Sequence, residues 1–122
     1  MNKGDLELKL LFHVLKENKK LGIDNSDLGF KEIYRLLEEE TLEVKEAILN
    51  YKMCPSYISM IEIIKETYDV IQISILLLWT CNREQKQYGA TGILENINIE
   101  HKDKLAYREW IIETGIEVDV KE

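Results

Sequence analysis

Residues 30–51 read FKEIYRLLEEETLEVKEAILNY. Phe30, Ile33, Leu37, Glu40, Val44, Ala47 and Tyr51 step by three and four along this stretch, the spacing of a helix seam that faces partner helices. One seam position is a glutamate. An ionised carboxylate placed on an apolar stripe is strongly disfavoured unless it is paired or bound to a metal, so Glu40 calls for a cationic partner. Glu43 lies three residues on, close to the same face, and the two side chains can converge on one ion.

A matching pair stands in the most apolar part of the chain. Glu66 and Asp69 are again three apart, flanked by Ile63, Ile64, Val70, Ile71 and Ile73, and Glu62 shares their side one turn earlier. Four carboxylates are therefore expected to point from two helices towards a common interior.

Working outward, the pattern predicts four helices. The first spans about 5–20, with Leu8, Leu11, Phe12 and Leu15 as its apolar stripe and Gly22 as its stop. Asp24, Asn25, Ser26 and Asp27 offer capping groups for a loop ahead of the second, at about 30–50. Pro55 suits the start of the third, which runs to about residue 87 and is apolar on most sides beyond Asp69. The last covers about 94–113 and carries His101, Lys104 and Arg108 along one side; after Gly115 the chain is either a short strand or a frayed end. The expected class is all-α, a helical bundle of about four helices in one domain over residues 1–122. A helix greasy all round needs cover on every side, and so short a chain has few helices to supply it. Self-association is the simplest cover.

Composition narrows the function. A net charge of -7 without Lys/Arg clusters argues against nucleic-acid binding. The longest apolar run, residues 70–79, is interrupted by Gln72 and Ser74 and falls short of the roughly 20 residues of a membrane span. Cys54 and Cys81 have neither metal-ligand spacing nor a disulfide framework, and the N-terminus shows no secretion signal, so a reducing cytoplasm is the expected compartment. An Asp/Glu cluster without His or Cys suits Mg2+, a hard ion completed by water and phosphates, better than zinc or copper. Di-iron bundles use Glu-x-x-His on two helices; here Leu10 and Asn98 stand three before His13 and His101, so that chemistry is disfavoured.

The segment LLEEETLEVKEA at 36–47, followed by Glu66-Thr67-Tyr68-Asp69-Val70, resembles the ExxE and ExxD signature of the MazG-like all-alpha nucleoside triphosphate pyrophosphohydrolases. The aliphatic continuation 71–78 is also similar. Residues 101–110, HKDKLAYREW, resemble the end of small phage-type members, with Glu109 where those carry a glycine before the Trp. The resemblance implies hydrolysis of a (d)NTP between the alpha and beta phosphates, giving the monophosphate and pyrophosphate, by a homodimer or homotetramer. Mg2+, or Mn2+ in its stead, would be held by Glu40, Glu43, Glu66 and Asp69. Glu39, Glu40 and Glu62 are the candidates for the base. Lys104 and Arg108 are candidates for phosphate contacts, and Phe30 and Tyr34, near the start of the acidic helix, for a nucleobase contact. Two readings compete: a nucleotide-binding module without turnover, and a helical oligomerisation protein with a polar seam.

Overall fold

The computed structural model describes residues 10–25 and 28–119. In chain order it holds a two-stranded antiparallel hairpin, β1 (Glu17–Asn18) and β2 (Ile23–Asp24), then α1 (Phe30–Met53), α2 (Tyr57–Glu84), a 3-10 turn (Gln85–Tyr88) and α3 (Ile93–Tyr107). The protein is thus mostly helical, with three helices among the described residues where four were expected. It divides into two compact units, Met1–Glu84 and Gln85–Glu122.

The first unit is built on α1 and α2, which pack antiparallel across the short connection 54–56. The seam read from the sequence forms their contact. Ile33 and Ala47 are buried from α1 and Leu76 from α2, while Leu37, Glu40 and Val44 are half-buried; Phe30 and Tyr51, at the ends of the seam, are exposed. The turn is locked by serines. Ser56 Oγ accepts the Ser59 N–H and Ser59 Oγ accepts the Ser56 N–H, both at 3.0 Å, a reciprocal cap in which a serine stands where glutamate is usual. Pro55 accordingly sits just ahead of the cap and α2 starts at Tyr57.

Hydroxyls inside the apolar α2 are satisfied within the helix. Thr67, Ser74 and Thr80 donate to the carbonyls of Ile63, Val70 and Leu76 at 2.6, 2.8 and 2.8 Å. Thr80 can therefore be buried without leaving an unpaired polar group. No described helix is long and apolar enough to cross a membrane.

The first expected helix is a correction. Residues 10–16 are not helical, and β1 and β2 follow them, with Glu17 opposite Asp24 and Asn18 opposite Ile23; residues 5–9 of that expected helix lie outside the described residues. The reason lies in the carbonyls. Those of His13, Leu15 and Lys16, which a helix would engage four residues on, accept instead from Gln72 Nε2 (2.7 Å), Asn25 Nδ2 (3.2 Å) and the Asn25 N–H (2.7 Å). Gly22, with φ +67°, closes the hairpin in the left-handed region that glycine occupies without strain. One apolar side chain of this arm meets α2: the Phe12 and Tyr68 rings lie edge-on, 6.0 Å between centroids, while Leu10, Leu11, Val14 and Leu15 stay exposed.

In the second unit α3 ends at Tyr107, earlier than the expected 113. The Glu109 N–H bonds the Ala106 carbonyl (3.0 Å) and the Trp110 N–H bonds the Leu105 carbonyl (3.1 Å), the paired bonds of a Schellman stop. That stop needs a left-handed residue, and Glu109 supplies it at φ +65°. The chain after Gly115 carries no regular structure through residue 119.

Candidate metal centre

Helical spacing and antiparallel packing bring the two acidic pairs together. Glu40 and Glu43 lie one turn apart on α1, Glu66 and Asp69 one turn apart on α2, and one carboxylate oxygen of each lies within 4.8 Å of the others. Glu40 and Glu66 are half-buried, Glu43 and Asp69 exposed, so the cluster has an inner and an outer edge. Oε2 of Glu40 and Oε2 of Glu66 are shielded from solvent without a hydrogen-bond partner. Two such oxygens in one acidic cluster are costly unless a proton or a cation serves them.

Electrostatics says the same. Burial, then the charge of Glu43 and hydrogen bonding to it, with the charges of Asp69 and Glu66 behind, push the Glu40 carboxyl up to about 7. Glu66 is raised by hydrogen bonding to Glu43, by burial, and by the charges of Glu43, Asp69 and Glu62. Like charges this close cannot all ionise at ordinary cost, so the cluster holds on to protons when nothing else is bound.

The remaining candidates are dispersed. Glu39 is turned away to Arg35 on the exposed side of α1, at 2.6 Å, and Glu32 takes the same guanidinium at 3.1 Å. Glu62 pairs with Lys65 at 3.3 Å yet lies near enough to Glu66 to raise its proton affinity, so it flanks the cluster. Phe30 and Tyr34 are solvent-exposed; the Tyr34 hydroxyl, bonded to Glu38, is held above its usual pKa by that bond and that charge. Tyr34 also lines a shallow groove of about 440 Å³ on the flank of α1, together with Leu37, Glu38, Thr41, Leu42 and Lys45. Lys104 and Arg108 belong to the second unit, exposed in the last turn and at the C-cap of α3.

Sequence reasoning missed the arm. Phe12 contacts Tyr68, the neighbour of Asp69, and Gln72 one turn further along α2 holds the His13 carbonyl. Periodicity pointed the other way, because Leu8, Leu11, Phe12 and Leu15 follow a helical spacing and would split between opposite faces of an extended segment. No family model matches the chain, and no curated protein or solved structure matches it significantly.

Proposed function

We propose that the chain is a Mg2+-dependent nucleoside triphosphate pyrophosphohydrolase, converting a (d)NTP to its monophosphate and pyrophosphate. The observation that carries this reading is the convergence of Glu40, Glu43, Glu66 and Asp69 on one point, with two orphaned buried oxygens in the set. An all-oxygen donor set of this kind fits magnesium, with manganese as its substitute. These four side chains would hold the ion. When bound, it supplies charge neutralisation and polarisation of phosphate oxygens.

The chain's own groups then divide the work. The outer carboxylates Glu43 and Asp69 face the side from which a triphosphate must approach. The proton of the attacking water goes to Glu40 or to Glu62, the base candidates that belong to or flank the cluster; Glu39, engaged by Arg35, is the weaker candidate. Lys104 and Arg108 remain proposals for phosphate contacts, Arg108 with the fork geometry that grips two oxygens. Phe30 and Tyr34 remain proposals for the base contact.

The reading also includes self-association, as a helical bundle completed by a second or further copies. Among the described residues only Ile33, Ala47 and Leu76 are buried apolar side chains, while large apolar residues on α1 and α2 stay exposed. A cytoplasmic location belongs to the same proposal.

The test is a panel of canonical and modified (d)NTPs assayed for pyrophosphate with magnesium. Activity on at least one, abolished by Glu43→Ala and by Asp69→Ala in proteins that keep their helicity, is the expected result. Glu62→Gln is expected to lower turnover while magnesium still raises the melting temperature; Glu40→Gln is expected to weaken both. Nucleotide binding without pyrophosphate release would select the inactive module instead.

A further inference from the structure

Helix α1 has a second apolar stripe that α2 does not cover. Tyr34, Leu42 and Leu49 are 66, 56 and 55% exposed on the flank turned away from Ile33, Glu40 and Ala47, and Phe30 and Ile48, 50 and 42% exposed, border it on the seam side. The shallow groove of about 440 Å³ lies within it and is lined by α1 residues alone. Two opposite charges sit on the same flank. Glu38, fixed by its bond with Tyr34, precedes the groove's middle, and Lys45, which has no carboxylate partner among the described residues, follows it.

This arrangement is self-complementary. When one α1 lies antiparallel on another with the two-fold axis between Thr41 and Leu42, Glu38 meets Lys45 of the other copy, twice. Tyr34 then meets Leu49 in the same way, and the Thr41–Leu42 steps cross at the centre. A two-fold contact uses one patch on both subunits, so a patch carrying both a charge and its complement at equal distances from its middle satisfies itself. A patch of one sign would repel its copy. At the ends Lys31 would face Lys52, so the helices are expected to cross at an angle that splays their termini, as packed helices commonly do.

We infer that the Tyr34–Leu49 flank of α1 is the surface on which a second copy of this chain docks, antiparallel and two-fold symmetric, with Glu38 and Lys45 as reciprocal partners across the axis. This rests on the self-association reading above; it shares Tyr34 with the base contact of the hydrolase reading, whereas Glu38, Leu42 and Lys45, the positions tested, have no part in that reading. Each position involved is solvent-exposed or half-buried in the single chain, so substitutions there leave the α1–α2 contact intact.

The experiment measures molar mass by light scattering and the dissociation constant by sedimentation, on the full chain at micromolar concentration. Wild type is expected at twice or four times the mass of one chain. Glu38→Lys and Lys45→Glu are each expected to weaken association by at least about tenfold, since each creates two like-charge contacts at one interface. The double variant Glu38→Lys/Lys45→Glu, with the charges exchanged, is expected to recover to within about threefold of wild type. Leu42→Lys, at the centre of the face, is expected to halve the mass with unchanged helicity by circular dichroism, and it carries the test should a charge variant fail to fold. A monomeric wild type overturns self-association and this face together. An oligomer indifferent to Glu38→Lys and Leu42→Lys overturns this face alone.

Discussion

The α1–α2 hairpin and α3 are both helical, but they are held by different means. In the hairpin, two stripes face each other, and Ile33, Ala47, Leu76 and Thr80 are buried between or within them. Helix α3 buries none of its side chains, and its Ile93, Ile97 and Ile99 are exposed. Helices of about 12–15 residues are marginal in water without a packed face. The contrast teaches that periodicity produces stability only when a partner stripe exists, and α3 is left to its glycine-bounded start and its Schellman stop.

The widest gap between the two regions is expected in core truncation. Ile33→Ala or Leu76→Ala should each destabilise by about 2–4 kcal/mol in chemical denaturation, whereas Ile97→Ala should stay within about 0.5 kcal/mol. Equal losses at all three sites would break the comparison, because α3 would then have a packed face of its own.

A second effect is confined to the hairpin and depends on pH. The Glu40 carboxyl is raised in the folded state to about 7 from an ordinary value of 4.5. Below the ordinary value both folded and unfolded chains carry the proton, and the favourable contribution is complete. Between there and about 7 only the folded chain retains it, so stability falls as pH rises through that window. With a chelator present, the melting temperature is expected to be lower at pH 8 than at pH 5, and Glu40→Gln should flatten the decline. Magnesium should act in the opposite sense, raising the melting temperature more at pH 8 than at pH 5, because ligand carboxylates must be deprotonated. A magnesium response that does not change with pH would remove Glu40 from the site.

The smallest expected effect belongs to the second unit. Glu109 holds a left-handed conformation, φ +65°, at the stop of α3, where a side chain is strained and glycine is not. Glu109→Gly should therefore stabilise by roughly 0.5–1 kcal/mol, less than the strain relieved, because glycine also frees the unfolded chain. Hydrogen exchange at the Arg108 and Trp110 amides, which close the last turn, would register the change locally.

Legibility followed the same division. The acidic pairs could be read because a charged residue on an apolar stripe violates the pattern, and Glu40, Glu43, Glu66 and Asp69 do converge. The α1 and α2 boundaries were close for a similar reason: Gly29 and Pro55 punctuate long runs with strong periodicity. The N-terminal arm could not be read. Its apolar spacing is helical, and what overrides it includes a contact that local pattern cannot show, Gln72 holding the His13 carbonyl 59 positions away. The end of α3 was missed because its signal is normally a glycine, and Glu109 occupies that place. Glu39 and Glu62 show the limit on site residues: the spacing left Glu62 open between a place in the cluster and a pairing with Lys65, which it makes, and gave no notice that Arg35 would engage Glu39.

The cap at the α1–α2 turn has a mechanical consequence. Ser56 and Ser59 lock that end with neutral hydroxyls, which neither acid nor salt can switch off. Halfway along the same pair of helices, the carboxylates swell or relax with every change in protonation. Any separation of the two rods in response to acidity should therefore pivot about the serine end like tongs about a rivet, driven from the middle and widest at the far end, where Phe30 and Glu84 lie.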